Sequence, residues 1–244
     1  MISDYLKWHI IQKEKKSNIE AYYIHCIINY YKDTLKENYK LVLDIPCGNG
    51  RLIPYLRSFG YDVYGVDISE ELINECKKKY PDLSNKLFIG DMRNFCFSKK
   101  FDVLLNWYSS FGYFDEEDNL KTMKNFNKLL RTGGILILED VNPEKVENQN
   151  LFFDYGEIVE FCEIKVEKNY RIFLEKYFKK DGKNLIFLED FVIKVRLYTY
   201  EEYNKLFELC GFKLLNAYEY LSFREYRPDS NRVVYVALKV AETM

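Results

Sequence analysis

The stretch Leu41-Val-Leu-Asp-Ile-Pro-Cys-Gly-Asn-Gly-Arg-Leu52 decides how the chain is read. Leu41, Val42, Leu43 and Ile45 form a nearly continuous apolar run, the pattern of a strand covered on both faces inside a parallel sheet. Asp44 stands at the strand's carboxyl end. A glycine-rich turn follows, and a helix is expected from Asn49 to Phe59, stopped by Gly60. Gly48 and Gly50 lack a Cβ where a tight turn must let backbone approach a ligand. N–H groups at the start of the next helix suit a carboxylate or phosphate.

Several cofactors use such a turn. A dinucleotide fingerprint wants a third glycine for close packing of helix on strand, and Ile53 occupies that position. Asp44 would also set like charge against a pyrophosphate. An acid at this point suits a ligand that presents an ammonium group.

The motif Asp44-x-x-Cys47-Gly48-x-Gly50-Arg51 resembles the first motif of the class I S-adenosylmethionine-dependent methyltransferases, in its C-G-x-G form. Pro46 replaces the first glycine of the commoner pattern; it fixes φ and offers no N–H to a ligand. The resemblance implies an α/β, Rossmann-like doubly wound sheet of seven strands in the order 3-2-1-4-5-7-6. The last strand is antiparallel, and an antiparallel β-sheet is inserted after strand five. It also implies S-adenosyl-L-methionine as cofactor, S-adenosyl-L-homocysteine as product, and no metal.

Other stretches extend that reading. Asp62 to Asp67 is the second strand, and its terminal acid lies about 17 residues after Gly50, near the ~20-residue interval of a ribose-binding carboxylate. The resemblance gives Asp67 that role, with Ile68 packing on sugar or adenine; capping the next helix is the alternative, which Ser69 can supply. After the third strand, Lys86 to Ile89, it gives Asp91 and Met92 to the adenine. The cofactor set is then Asp44, Pro46, Cys47, Gly48, Gly50, Asp67, Ile68, Asp91, Met92 and Asn106. The fourth strand, Phe101 to Trp107, leads into Ser110-Phe-Gly-Tyr-Phe114, a run similar to that of a small-molecule branch of the family. Ligands of open α/β sheets bind beyond the strands' carboxyl ends, so Tyr108 and Tyr113 either border the acceptor or serve packing. A helix from Glu116 to Leu130 and a turn to Gly134 precede the fifth strand, Ile135 to Val141.

From Leu151 to Arg196 the hydrophobic period changes to two. Three antiparallel strands are expected, Glu157 to Val166, Tyr170 to Lys179 and Asn184 to Val195, with Asp181-Gly182 in a hairpin turn. Residues 1–150 and 197–244 form the methyltransferase core, and 151–196 an insertion expected to cover the acceptor site. Thr199-x-x-Glu202 opens a helix with a capping box, and two strands, Phe212 to Phe223 and Arg232 to Val240, end the sheet.

The N-terminal segment Tyr5 to Lys36 reads as amphipathic helix with a break near Ser17, its Ile24, Ile27, Ile28 and Tyr31 facing the sheet. The resemblance lets Tyr5 and Trp8 close over the cofactor; surface packing is the alternative. His9 shares that segment, and His25 is expected beside the core. The 244 residues suffice for one elaborated α/β domain. A net charge of −2 gives no basic field for nucleic acid. No signal peptide or membrane span is legible, and six scattered cysteines without metal-ligand spacing suit a cytoplasmic protein.

The sequence thus points to direct in-line methyl transfer to a small-molecule N or O acceptor, by a monomer or homodimer. No catalytic base is legible. A catalytically silent cofactor-binding module and a nicotinamide-dependent oxidoreductase are the rival readings.

Overall fold

The structure is a computed structural model and describes residues 16–242; Tyr5, Trp8 and His9 lie outside the described residues. Helix α1 (Ser17–Leu35) is followed by β1 (Leu41–Asp44), α2 (Ile53–Ser58), β2 (Asp62–Asp67), α3 (Glu70–Lys79) and β3 (Leu87–Ile89). Then come β4 (Phe101–Asn106), α4 (Glu116–Leu129) and β5 (Leu130–Val141). Four strands, β6 (Gln149–Asp154), β7 (Ile158–Glu167), β8 (Tyr170–Asp181) and β9 (Asn184–Arg196), precede α5 (Tyr200–Leu209), β10 (Phe212–Glu219) and β11 (Arg232–Lys239).

The larger sheet runs β10-β11-β5-β4-β1-β2-β3, the expected order. Strands β1 to β5 pair in parallel, and β11 enters antiparallel between β5 and β10. Val42 and Leu43 of β1 are fully buried, as the apolar run required of a central strand with helices on both sides. On one face α1 buries Ala21, Ile24, Ile27 and Ile28 completely, each isoleucine worth roughly 1.5–3 kcal/mol relative to exposure. On the other, Met123 and Phe126 of α4 pack with Tyr203 and Phe207 of α5. His25 stacks on Phe59 at 4.2 Å and shares a 2.9 Å hydrogen bond with the Tyr61 hydroxyl. It is a packing residue beside the core.

Local capping chemistry sets several boundaries. Ser69 accepts from the Leu72 amide at 3.2 Å, and Asp115 from the Asp118 amide at 2.9 Å. Thr199 and Glu202 complete the expected capping box. The first crossover helix differs from expectation: it opens at Ile53, with Pro54 in its first turn. Residues 48–52 are turns instead, because Gly48 and Gly50 take φ of +56° and +73°, which a right-handed helix excludes.

The insertion is a separate sheet in the order β6-β7-β8-β9. It has one strand more than the sequence pattern indicated: Gln149–Asp154 pairs along β7, although Asn150 and Asp154 dilute its alternation.

Candidate functional site

Beyond the carboxyl ends of β1, β2 and β4 lies a cavity of about 430 Å³, within the usual size range of small-molecule sites. Its floor is the turn after β1. The Cys47 amide donates to the Val66 carbonyl at 2.8 Å, and the Gly48 amide to Asp67 Oδ2 at 2.8 Å. Asp67 Oδ1 accepts from the Ser69 amide at 2.9 Å. Both carboxylate oxygens of Asp67 thus accept from backbone N–H groups. Asp67 therefore helps position the next helix, while Ser69 provides the cap.

The structure gathers most of the predicted cofactor set: Asp44, Pro46, Cys47, Gly48, Asp67, Ile68, Asp91 and Met92 all line the cavity. Two others support it from behind. Asn106 is fully buried and its side-chain amide donates to the Ile45 carbonyl at 2.8 Å, fixing the turn. Gly50 faces α3, where a Cβ would come within 2.3 Å of the Cys76 sulfur. At Gly48 a Cβ would meet none of the described residues within 4 Å.

Burial pushes the Asp44 carboxyl up to about 7, with the Asp67 charge acting in the same direction and Arg51 opposing both. Burial also raises Asp67, against the backbone N–H bonds that favour its charged form. Asp91 behaves oppositely: hydrogen bonds from Arg93 hold it below the usual carboxylate range. The Arg93 Nε lies 2.9 Å from Asp91 Oδ2, and its Nη1 bonds Asp118. In the sequence Arg93 stands in an ordinary Gly-Asp-x-Arg turn, which carries no signal of this pairing.

Arg51 closes the Asp44–Arg51 motif, whose spacing assigns it no role. It lines the cavity and reaches back to α1, donating to Ser17 Oγ at 3.1 Å and pairing with the buried Glu20. The acids and this arginine sit on neighbouring turns, so the cavity floor holds charges of both signs. Trp107 also lines the cavity, and among the described residues its indole N–H has no hydrogen-bond partner.

The segment after β4 forms the opposite wall. Tyr108 and Ser109 have φ of +66° and +53°, which non-glycine residues adopt only when surroundings hold them. Glu139 supplies the hold: its Oε2 accepts from the Tyr108 amide at 2.8 Å and its carbonyl from the Ser109 amide at 3.0 Å. Arg51 and Arg232 lie 5.4 and 4.9 Å from the Tyr108 ring centroid. That ring is thus in contact with the chain's own cations. Tyr113 is 46% exposed and lines the cavity. Ile193 of β9 reaches the same cavity, so the inserted sheet contributes to its wall.

Residues 42–134 match the family model described as a methyltransferase domain. A Streptomyces venezuelae dTDP-3-amino-3,4,6-trideoxy-alpha-D-glucopyranose N,N-dimethyltransferase is 33% identical over 100 residues, which are 40% of this chain and 41% of that protein. The chain thus aligns with less than half the length of that relative. Among solved structures, an S-adenosylmethionine-dependent methyltransferase from Clostridium acetobutylicum has a TM-score of 0.83 at 21% identity, over 98% of this chain and 100% of that one. A sugar N-methyltransferase from a Streptoalloteichus species has a TM-score of 0.79 at 15% identity, over 99% and 95% of the two chains. At these identities the structural likeness establishes a shared fold.

Proposed function

We propose that this chain, whose residues 42–134 match a methyltransferase-domain model and whose fold is shared with an S-adenosylmethionine-dependent methyltransferase, transfers a methyl group to the nitrogen of a small-molecule amine. The observation that carries this reading is a single cavity with Asp44, Asp67 and Asp91 on successive turns along one side and the Tyr108–Phe114 segment on the other. The names of the Streptomyces and Streptoalloteichus proteins favour nitrogen over oxygen as the accepting atom.

The residues present fit S-adenosylmethionine chemically. Asp44 suits its ammonium group, and the unpartnered Trp107 indole N–H suits its carboxylate. Asp67 retains acceptor capacity for the ribose hydroxyls, Ile68 and Leu72 offer apolar surface, and Asp91 with the Met92 backbone suits the adenine edge. Gly48 leaves room where a side chain would intrude. When bound, the cofactor supplies a methyl group already made electrophilic by its sulfonium. The chain's part is to hold the acceptor lone pair in line with that methyl and exclude water. Orientation of this kind lowers a barrier by roughly 7–11 kcal/mol. An amine that arrives neutral needs no base at the moment of transfer, which agrees with the absence of a legible one in the sequence. Tyr113 and Ile193 border the acceptor side, with residues 151–196 as its cover.

Calorimetry with S-adenosylhomocysteine, together with transfer of labelled methyl to a panel of amino sugars and small amines, tests the proposal. Saturable binding and a methylated amine are expected. Asp67→Ala should weaken cofactor binding by roughly 10-fold or more, as expected for a lost charged hydrogen-bond acceptor. Unchanged affinity in that variant refutes the ribose assignment. Cofactor binding without any methylated product would instead support a silent binding module.

A further inference from the structure

We propose that Arg171, on the inserted sheet, anchors an anionic group of the acceptor, a phosphoryl or carboxylate group carried by the amine. This rests on the reading of the cavity as a methyltransferase site and extends it to the class of acceptor.

The placement follows from strand register. Phe173 of β8 lies opposite Ile193 of β9, which lines the cavity, and Arg171 lies opposite Val195. Residues two apart share a face of a strand, so Arg171 stands on the cavity-facing side of the insertion, one step along from Phe173. Its guanidinium rests against the Phe173 ring, 4.4 Å from the centroid. Its charge is felt by Tyr113, which lines the cavity, and by Asp140, Cys162 and Arg232.

Arg171 differs from the other arginines that are wholly or partly buried. Arg232 is paired with Glu139, Arg196 with Glu116 and Glu202, and Arg51 with Glu20. Among the described residues the Arg171 side chain has no ion pair or hydrogen bond, and its Nε is closed off from solvent without an acceptor. Asp140, the acid whose charge reaches Arg171, is engaged elsewhere. Asp140 accepts from the Tyr203 hydroxyl at 2.6 Å and the Val141 amide at 2.7 Å. Glu160 and Glu175 accept from the hydroxyls of Tyr155 and Tyr177. A partly buried guanidinium with a sealed, unpartnered Nε costs stability, while its planar fork matches phosphate and carboxylate oxygens in bidentate fashion.

The experiment follows the arginine Nε–H resonances of nitrogen-labelled protein saturated with S-adenosylhomocysteine. Phosphate, acetate and, at equal ionic strength, chloride are titrated separately; Arg171→Lys identifies the Arg171 signal by its loss. A saturable shift of that signal with phosphate or acetate, absent with chloride, is expected, and the tighter of the two names the anion. Binding of that anion should weaken by roughly 10–100-fold in Arg171→Met, the effect of losing charge-assisted hydrogen bonds. No saturable shift with either anion, or equal binding in a folded Arg171→Met protein, overturns the proposal. Calorimetry with S-adenosylhomocysteine on the same samples separates that result from failure of the cofactor reading, because Arg171→Met should bind it as the wild type does.

Discussion

The Arg196 amide donates to the Gly112 carbonyl over 2.8 Å, fastening the segment after β4 to the last residue of β9. Gly112 has φ of +93°, and a Cβ there would lie 2.4 Å from the Arg196 carbonyl oxygen. No side chain fits unless one backbone moves. Arg196 is itself buried and fixed by Glu116 and Glu202, so the segment bearing Tyr113 would be displaced. Gly112→Ala should cost roughly 1–3 kcal/mol of stability through strain and overpacking. Methyl transfer should fall at least about tenfold, as misplaced reactants lose effective concentration, while S-adenosylhomocysteine affinity stays near wild type. Equal losses of affinity and turnover would show that the segment serves the cofactor and not the acceptor.

Asp44 sets a pH dependence whose sign is fixed by its raised carboxyl. In the folded protein it loses its proton near pH 7, whereas an unfolded aspartate does so near about 3.9. Between those values the folded state holds a proton that the unfolded state has released. Stability without ligand therefore falls as pH rises through that window and levels off above about 7. Asp140, pushed up to about 6 mainly by burial, adds to the same slope. A bound ammonium group requires ionised Asp44, so affinity for S-adenosylhomocysteine should run the other way. It should rise up to about tenfold per pH unit below 7 and then plateau. Asp44→Asn should weaken binding and flatten its pH profile; a wild-type profile already flat from pH 5 to 8 would refute this role.

The two glycines of the turn should separate stability from affinity. Gly50→Ala drives a Cβ into the Cys76 sulfur at 2.3 Å and keeps a left-handed φ. A loss of roughly 1–3 kcal/mol is expected, measured by urea unfolding, with little effect on the affinity of the folded fraction. Gly48→Ala meets none of the described residues within 4 Å and should cost only about 1 kcal/mol through its φ. Its new methyl group borders the cavity, so cofactor affinity should fall more than in Gly50→Ala. The reverse ranking would mean that the backbone at Gly48 does not approach the ligand.

Sequence patterns carried the sheet because they report local constraints. The apolar run at Leu41–Ile45, the acids ending β1 and β2, and the Thr199–Glu202 box each act within a few residues. Resemblance supplied the strand order that periodicity alone leaves open. Where the sequence reading ran long, as in the helix expected from Asn49, backbone conformation at two glycines overrode helical spacing. The roles of Asn106 and Gly50 depended on tertiary contacts with Ile45 and Cys76, which spacing does not encode. Arg51, Arg93 and Arg171 were missed for a related reason. A charged residue reads as solvated surface until its neighbours are known: Arg51 lines the cavity, Arg93 bonds the lining residue Asp91, and Arg171 pairs across from Val195, two residues along β9 from the lining Ile193.

Glu139 and Arg232 should prove energetically coupled, because each compensates the other's burial. Glu139 is fully buried, and the Arg232 side chain is 22% exposed. Arg232 Nη2 lies 2.9 Å from Glu139 Oε2 and 2.8 Å from Ser109 Oγ. Removing one partner leaves the other's charge uncompensated, a loss of roughly 3–5 kcal/mol. Arg232→Met and Glu139→Gln should therefore each lower the unfolding midpoint in urea. The double variant should lose clearly less than the sum of the two, since it removes both charges together. Glu139 also holds Tyr108 and Ser109 in left-handed backbone conformations, and glutamine keeps an acceptor for the Tyr108 amide. Glu139→Ala removes that acceptor, so its folded fraction should transfer methyl more slowly than Glu139→Gln at saturating cofactor. Strict additivity in the unfolding cycle, or equal turnover in the alanine and glutamine variants, would separate this ion pair from the shape of the site.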